Sequence, residues 1–261
     1  MPKPTNWLNF INNAMNNLGL VSVSFRNNCI NEILRAVNNA KLSLVEWGSD
    51  IHAPCNDTQR LLQIAALQKQ YGIECCSYGT YFKIGKDKPD DILSYIIAAK
   101  ILGTDILRIW CGDKNFEDYT ADELDTLVSN CKKVAKTAEK ENVTLCLECH
   151  NGTITNCLEG AKFILDAVNS EHFKMYWQPN QYKSFETNLE YAKHIAKQVK
   201  VIHVFNWTEK ENLPLLLGVD IWKKYLENFD SNIPLLLEFM PDGKIESLNA
   251  ESDSLRLIVK E

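Results

Sequence analysis

A carboxylate and an imidazole lie two residues apart where an apolar segment of the sequence ends. Residues 143–147 are predicted to form a short strand, and Glu148 and His150 follow it directly. Since side chains alternate along a strand, Glu148 and His150 are expected to point the same way, and Cys149 to the opposite face. An unpaired carboxylate in this position is costly to bury. Glu148 therefore requires partners from other parts of the chain.

Three later apolar segments also end in polar residues that can bind a metal ion. Gln178, His203 and Glu238 close the sixth, seventh and eighth predicted strands, as Glu148 closes the fifth. Two carboxylates, an imidazole and an amide oxygen can hold a divalent ion of the Mn²⁺, Mg²⁺ or Co²⁺ type. Each residue also has an ordinary explanation: Gln178 could bond a loop, His203 could be a satisfied core histidine, and Glu238 could pair with Arg108. Their occurrence on consecutive strand ends favours a shared metal site.

The elements that must position these residues alternate regularly along the chain. Strands are predicted at 20–25, 42–47, 73–78, 105–111, 143–147, 173–178, 200–205 and 233–239. Helices are predicted at about 5–18, 28–40, 58–71, 89–102, 220–229 and 249–259, and capping boxes that begin at Thr120, Asn156 and Thr187 mark three more. Strict alternation predicts parallel strands, and eight such units predict an α/β fold, a closed (β/α)8 TIM barrel. We expect one domain over residues 1–261, with the helix at 5–18 before the first strand.

In a barrel of this kind the chemistry lies at the C-terminal ends of the strands. Glu46 closes the second predicted strand, Arg108 and Trp110 lie near the end of the fourth, and His52 and His150 lie in loops at the same end. These five residues are the candidate substrate-binding residues, and His52 and His150 are equally consistent with loop packing.

Other residues near the strand ends have two interpretations. The tryptophans are ambiguous: two of them could line a sugar pocket, but aromatic residues at strand ends are also ordinary core residues (Trp110, Trp177 and Trp207). Three lysines after the third strand could bind a phosphate, although a solvated loop is favoured: Lys83, Lys86 and Lys88.

Composition and charge limit the classes of partner. The net charge is -6 and no polybasic run is present, so nucleic acid is not an expected partner. No apolar run approaches a membrane-spanning length, and the N-terminal segment lacks the apolar stretch of a signal peptide. Nine cysteines are then expected to be reduced thiols of a cytoplasmic protein.

The chain resembles the xylose isomerase-like TIM barrel family, the sugar phosphate isomerase and epimerase group, over almost its whole length. The motifs that carry the resemblance are Glu46-Trp47-Gly48, Arg108-Ile109-Trp110, Glu148-Cys149-His150-Asn151-Gly152-Thr153, Val201-Ile202-His203-Val204 and Leu237-Glu238-Phe239. The resemblance implies one divalent ion, held by Glu, Asp, His and Glu from strands five to eight. Glu148, His203 and Glu238 match three of these positions, and Gln178 stands where the family usually has Asp.

The expected activity is isomerisation or epimerisation of a sugar, sugar phosphate or polyol. Glu148 and Glu238 would transfer a proton through an enediolate stabilised by the ion, which we expect to be Mn²⁺, with Mg²⁺, Co²⁺ or Zn²⁺ as alternatives. A keto-polyol dehydratase would use the same groups, and a barrel that has lost its metal at Gln178 would only bind a sugar. The expected partners are a small sugar and further copies of the chain, as a homodimer or homotetramer.

Overall fold

Eight parallel strands close into a barrel in the computed structural model, which describes residues 17–259. The strands are β1 Leu18–Val21, β2 Leu44–Gly48, β3 Glu74–Ile84, β4 Ile106–Cys111, β5 Thr144–Leu147, β6 Phe173–Trp177, β7 Val199–Val204 and β8 Leu235–Leu237. Each strand pairs with the next in sequence, and β1 also pairs with β8. The predicted (β/α)8 TIM barrel is therefore confirmed.

Eight α-helices follow the strands one by one. They are α1 Ile30–Asn39, α2 Thr58–Tyr71, α3 Ile92–Leu102, α4 Ala121–Glu141, α5 Leu158–Val168, α6 Phe185–Ile195, α7 Val219–Leu226 and α8 Leu248–Val259. Gly72 ends α2 with a φ of 66°, a left-handed conformation that suits glycine. Among the described residues, no helix is both long enough and apolar enough to cross a bilayer.

One of the three predicted capping boxes is present. Thr120 Oγ1 accepts a hydrogen bond from the Glu123 amide at 3.3 Å, and the Glu123 carboxylate accepts one from the Thr120 amide at 3.0 Å. The box predicted at Asn156 is wrong, because Asn156 Oδ1 accepts from the distant amide of Phe116 at 3.0 Å. The box predicted at Thr187 is also wrong, because α6 starts earlier and Ser184 is its cap.

The largest difference in strand boundaries is at β3. The prediction ended this strand at residue 78, whereas β3 continues to Ile84 after a register shift between Gly79 and Lys83. A 3₁₀ turn, Ser22–Phe25, replaces the end of the predicted first strand, because β1 already stops at Val21. The predicted helix at 5–18 lies outside the described residues except at its end, where Leu18 belongs to β1.

Alternation along the strands divides the side chains into two cores. The inner layer of the barrel consists of Val21, Val23, Leu44, Cys146, Tyr176, Val201 and Leu236. The residue two positions after each of several inner-layer members is a candidate site residue: Glu46 after Leu44, Glu148 after Cys146, Gln178 after Tyr176, His203 after Val201 and Glu238 after Leu236. The site residues therefore lie directly above this apolar layer, on its C-terminal side.

The outer core lies between strands and helices. Cys149 belongs to it, as predicted, so Cys146 and Cys149 lie on opposite faces of the chain despite their Cys-x-x-Cys spacing. Trp177 also belongs to it and contacts the rings of Trp222 and Tyr225, so of its two interpretations the core one agrees with the structure.

Candidate metal centre and active site

The four side chains predicted to bind a metal ion converge at the C-terminal ends of β5 to β8. One ligand atom each from Glu148, His203 and Glu238 lies within 4.8 Å of the other two. Gln178 Oε1 lies 3.0 Å from His203 Nδ1 and so faces the same point. All four side chains are buried. Consecutive parallel strands thus bring together residues that are far apart in sequence.

The arrangement fits a divalent cation. His203 Nδ1 faces Glu238 Oε2 at 3.4 Å and Glu148 Oε1 at 3.8 Å. Glu238 Oε2 is buried, and no described residue donates a hydrogen bond to it in suitable geometry. A buried carboxylate oxygen without a donor is costly, and a cation would satisfy it. Carboxylate, amide and imidazole donors together suit Mn²⁺ and neighbouring divalent ions.

The other side of the His203 ring is held by Glu46. His203 Nε2 lies 3.4 Å from Glu46 Oε2, which also accepts hydrogen bonds from Tyr176 OH at 2.7 Å and Ser77 Oγ at 3.0 Å. A carboxylate on one ring nitrogen fixes the orientation in which the other nitrogen meets a metal ion. The side chain of Glu46 is 0% exposed, so its predicted substrate-binding role is corrected to support of His203.

Arg108 joins the two carboxylates of this network. Its Nε donates to Glu46 Oε1 at 2.9 Å, and its Nη1 donates to Glu148 Oε2. Gly79 leaves room for the pair, because a Cβ there would lie 2.7 Å from both Arg108 Nη2 and Glu46 Oε1. Arg108 is 3% exposed, so the guanidinium acts first as a counter-charge and only secondarily as the predicted substrate contact.

The pKa values of this network follow from its charges. Burial alone raises the pKa of Glu148, but the Arg108 guanidinium, His203 and smaller contributions from other neighbours together outweigh burial and lower it below the usual range. The same balance lowers the pKa of Glu46. Burial alone lowers the pKa of Arg108, but Glu148 and Glu46 raise it well above its usual value. Both carboxylates are thus held as anions at neutral pH.

Aromatic rings flank the metal cluster on the β3–β5 side. Trp110 Nε1 donates to Glu148 Oε2 at 2.5 Å, and the ring of the exposed His150 lies 5.0 Å from that of Trp110. Tyr81 contacts the Trp110 ring edge to face at 5.5 Å and lies over the guanidinium of Arg108 at 5.4 Å. Trp110 and His150 therefore lie where substrate contact was predicted.

A second aromatic group lies on the β7–β8 side. Trp207 stacks on Phe205 with ring centroids 3.7 Å apart and contacts Phe239 at 5.6 Å. Phe239, which follows Glu238, and Tyr81 both have positive φ, 51° and 58°, a strained conformation for bulky residues that is often found at functional sites.

Sequence reasoning missed several supporting residues. Ser77 and Tyr176 hold Glu46, and Tyr81 flanks Trp110. The position of Tyr176 was detectable, because it lies two residues before Gln178 and shares its face. The position of Tyr81 was not, because it depends on the unpredicted extension of β3.

His52 does not join the site. It is 1% exposed, its Nδ1 lies 3.1 Å from Ser22 Oγ, and its ring meets the ring of Trp47 at 6.0 Å. The loop-packing alternative for His52 therefore agrees with the structure, and the predicted substrate contact does not.

Binding of Mn²⁺ is expected to release about one proton per ion at pH 7. Burial alone lowers the pKa of His203, but Glu238 and Glu46 outweigh burial and raise it to about 10. The imidazole is thus protonated at pH 7 before the ion binds, whereas a metal-ligating imidazole must offer a lone pair. Affinity should accordingly rise with pH up to about 10. Calorimetric titrations in buffers of different ionisation enthalpy measure the protons released, and a value of zero would contradict His203 as a ligand.

Comparisons with known proteins agree with this architecture. The sequence matches the family model described as xylose isomerase-like TIM barrel over residues 34–232. The probable 3-DHS dehydratase AsbF from Bacillus anthracis superposes with a TM-score of 0.77 and 15% identity, covering 91% of this chain and 98% of that one. A D-allulose 3-epimerase from Methylomonas sp. gives a TM-score of 0.66 at 12% identity, covering 92% and 96%.

A structure described as L-ribulose 3-epimerase gives a TM-score of 0.62 at 18% identity, covering 90% of this chain and 86% of that one. At these sequence identities, the three comparisons show a shared fold and nothing further. A search of curated proteins finds no sequence match. The family match covers well over half of the chain, and the protein therefore belongs to the xylose isomerase-like TIM barrel family.

Proposed function

We propose that the protein is a divalent-metal-dependent isomerase or epimerase of a sugar, sugar phosphate or polyol. The observation that carries this proposal is the buried cluster of Glu148, His203 and Glu238 at the C-terminal end of the barrel. Glu148, Gln178, His203 and Glu238 would hold the ion, and three oxygen donors with one nitrogen donor favour Mn²⁺. When bound, the ion supplies positive charge that polarises a substrate carbonyl.

Glu238 is suited to remove the proton next to that carbonyl. A carboxylate has two oxygens, so Glu238 can hold the ion with one of them and accept the proton with the other. Glu148 is the second proton carrier, and its Oε1 is the oxygen available for this purpose because Oε2 accepts from both Arg108 and Trp110. Return of the proton to the opposite face gives an epimer, and return to the neighbouring carbon gives an aldose.

The surrounding residues bind the substrate. The rings of Trp110 and His150 on one side and of Trp207 and Phe239 on the other are suited to contact the C–H faces of a sugar. A small sugar is thus the proposed partner.

One observation favours a dehydratase as the second candidate. The two carboxylates are unequal, because Glu148 accepts hydrogen bonds from Arg108 and Trp110, whereas Glu238 Oε2 accepts no well-aligned hydrogen bond from a described residue and faces His203 Nδ1 at 3.4 Å. Dehydration needs one strong base to remove the proton next to the carbonyl, and the hydroxyl on the next carbon then takes up that proton from the base and leaves as water, with a C=C bond formed. An epimerase needs effective proton carriers on both faces.

Proton NMR in deuterated water distinguishes these candidates. The Mn²⁺-loaded protein is incubated with a panel of ketoses, ketose phosphates and keto-polyols. Samples are taken at intervals, Mn²⁺ is removed from each sample, and its proton spectrum is recorded. Deuterium uptake beside the carbonyl with formation of an epimer or aldose would support the proposal. Loss of water to give an enone would support the dehydratase. Binding of sugars without exchange or product would instead indicate a non-catalytic barrel.

A further inference from the structure

The extension of β3 brings an additional side chain over the site. Ser77 and Tyr81 point into the barrel, since Ser77 donates to Glu46 and Tyr81 lies over Arg108. Gly79 lies between them and faces the same ion pair. Beyond the register shift, Phe82 and Ile84 belong to the outer core, so Lys83 between them faces the other side of the strand, where it pairs in register with Trp110 of β4. The strand therefore carries Lys83 above the inward-facing row that supports the metal cluster.

The ammonium group of Lys83 lies close to the cluster. Its Nζ is 4.8 Å from the centroid of the Trp110 ring, and the same indole donates to Glu148 Oε2. The backbone of Lys83 is fixed by Asp87, whose Oδ2 accepts from the Lys83 amide at 2.6 Å and whose amide donates back to the Lys83 carbonyl at 2.9 Å. A single indole ring thus separates a positioned cation from a metal-ligating carboxylate.

Lys83 differs from the cations around it in having no carboxylate partner. Lys86 pairs with Asp113 at 2.5 Å, Arg26 pairs with Asp50, and Lys114 pairs with Glu123. Within residues 17–259, no carboxylate lies within ion-pair distance of Lys83 Nζ, although this side chain is half-buried. A half-buried, unpaired ammonium beside a binding site is a candidate receptor for an anion.

The net charge of the site permits an anionic ligand. The carboxylates of Glu46, Glu148 and Glu238 are opposed by the Arg108 guanidinium and, in the loaded protein, by a divalent ion. These charges balance, so an anionic substrate meets little repulsion. Lys83 then adds attraction for an anion at the β3–β4 side of the site.

We infer that Lys83 binds an anionic group, a phosphate monoester or a carboxylate, at the end of the substrate remote from the metal cluster. This inference rests on the proposed function, because it assumes that the carbonyl end of the same molecule lies at the cluster. It narrows the substrate class from sugars in general to sugar phosphates and sugar acids.

Three ketoses that differ at C6 provide the test: D-fructose, D-fructose 6-phosphate and D-fructuronate. Dissociation constants are measured by calorimetry on the Mn²⁺-loaded wild type, Lys83→Met, Lys83→Arg and Lys86→Met. The quantity compared is the ratio of the affinity for each anionic ketose to the affinity for D-fructose. Lys86→Met is the matched control, because it removes a nearby lysine whose charge is already paired with Asp113.

The wild type is expected to prefer one of the anionic ketoses by about tenfold, the factor that corresponds to about 1.4 kcal/mol. Lys83→Met should abolish the preference, while Lys83→Arg and Lys86→Met should keep it. The anionic ketose that the wild type prefers shows whether the group bound by Lys83 is a phosphate or a carboxylate. An equal preference in wild type and Lys83→Met overturns the inference, as does failure of both anionic ketoses to bind.

Failure of the proposed function gives a different result. Deuterium exchange is measured on the same samples, and exchange without a charge preference removes the role of Lys83 but leaves the proposed function in place. A charge preference that depends on Lys83, in the absence of any exchange, contradicts the proposed function and retains the anion site.

Discussion

Glu238→Gln is expected to lower the rate of C–H exchange in deuterated water by about 10²- to 10⁴-fold, the usual contribution of a positioned general base. The variant keeps the size and an oxygen donor of the side chain but removes its ability to accept a proton. Exchange is measured by NMR on the ketose that the wild type processes fastest.

Metal content must be measured on the same samples, because Glu238 is also a proposed ligand. Exchange is therefore compared at saturating Mn²⁺, after stoichiometric loading has been verified by elemental analysis. Glu246→Gln is the matched control, since Glu246 is an exposed carboxylate in the loop between β8 and α8. A loaded Glu238→Gln protein that exchanges at the wild-type rate would remove Glu238 from the proton-transfer step.

The convergence of the four candidate metal ligands was predictable because it depends on few physical rules. Parallel strands of a closed barrel end on the same side, and alternation decides which residue of each strand points inward. Glu148, Gln178, His203 and Glu238 each end an apolar segment at the same depth, so their convergence needed no knowledge of side-chain packing. The fold was predictable for the same reason, because the apolar periods repeat regularly.

The residues around the cluster were less predictable because their roles depend on contacts between distant segments. Glu46 looks equivalent to Glu148 in sequence, yet four partners enclose its carboxylate and His203 is among them. The extension of β3 depends on a register shift against β4, and without it neither Tyr81 nor Lys83 would lie over the site. No local pattern in residues 79–84 indicates that shift.

The starts of helices were also hard to predict, because they too depend on contacts between distant segments. In the Thr120 box, the side chain of Thr120 accepts from the Glu123 amide, as its local pattern predicts. Asn156 has the same local signature, but its amide oxygen accepts from Phe116 of a neighbouring loop. A capping pattern states what a side chain can do locally, and tertiary contacts decide whether it does so.

Arg108→Met is expected to destabilise the protein by about 3–5 kcal/mol at pH 7, the usual cost of removing one partner from a buried ion pair. Methionine retains much of the side-chain length but leaves the carboxylates of Glu46 and Glu148 without their shared counter-charge. For a chain of this size the thermal midpoint should fall by about 10 °C. Urea and thermal unfolding measure both quantities.

The pH dependence and a control variant test whether charge is the cause. The pKa values of Glu46 and Glu148 are lowered in the wild type, so their contribution to stability is complete above the unfolded-state pKa of about 4.3 and is lost only in stronger acid. Without Arg108, burial should raise the pKa of these carboxyls, and protonation should then stabilise the folded variant as pH falls. The difference in stability between variant and wild type should therefore be smaller at pH 5 than at pH 7.

Arg26→Met is the control variant. It breaks the more exposed ion pair with Asp50 and should cost no more than about 1 kcal/mol of stability. An equal loss in the two variants, or a loss for Arg108→Met that is independent of pH, would contradict the proposed role of Arg108 as the counter-charge of the site.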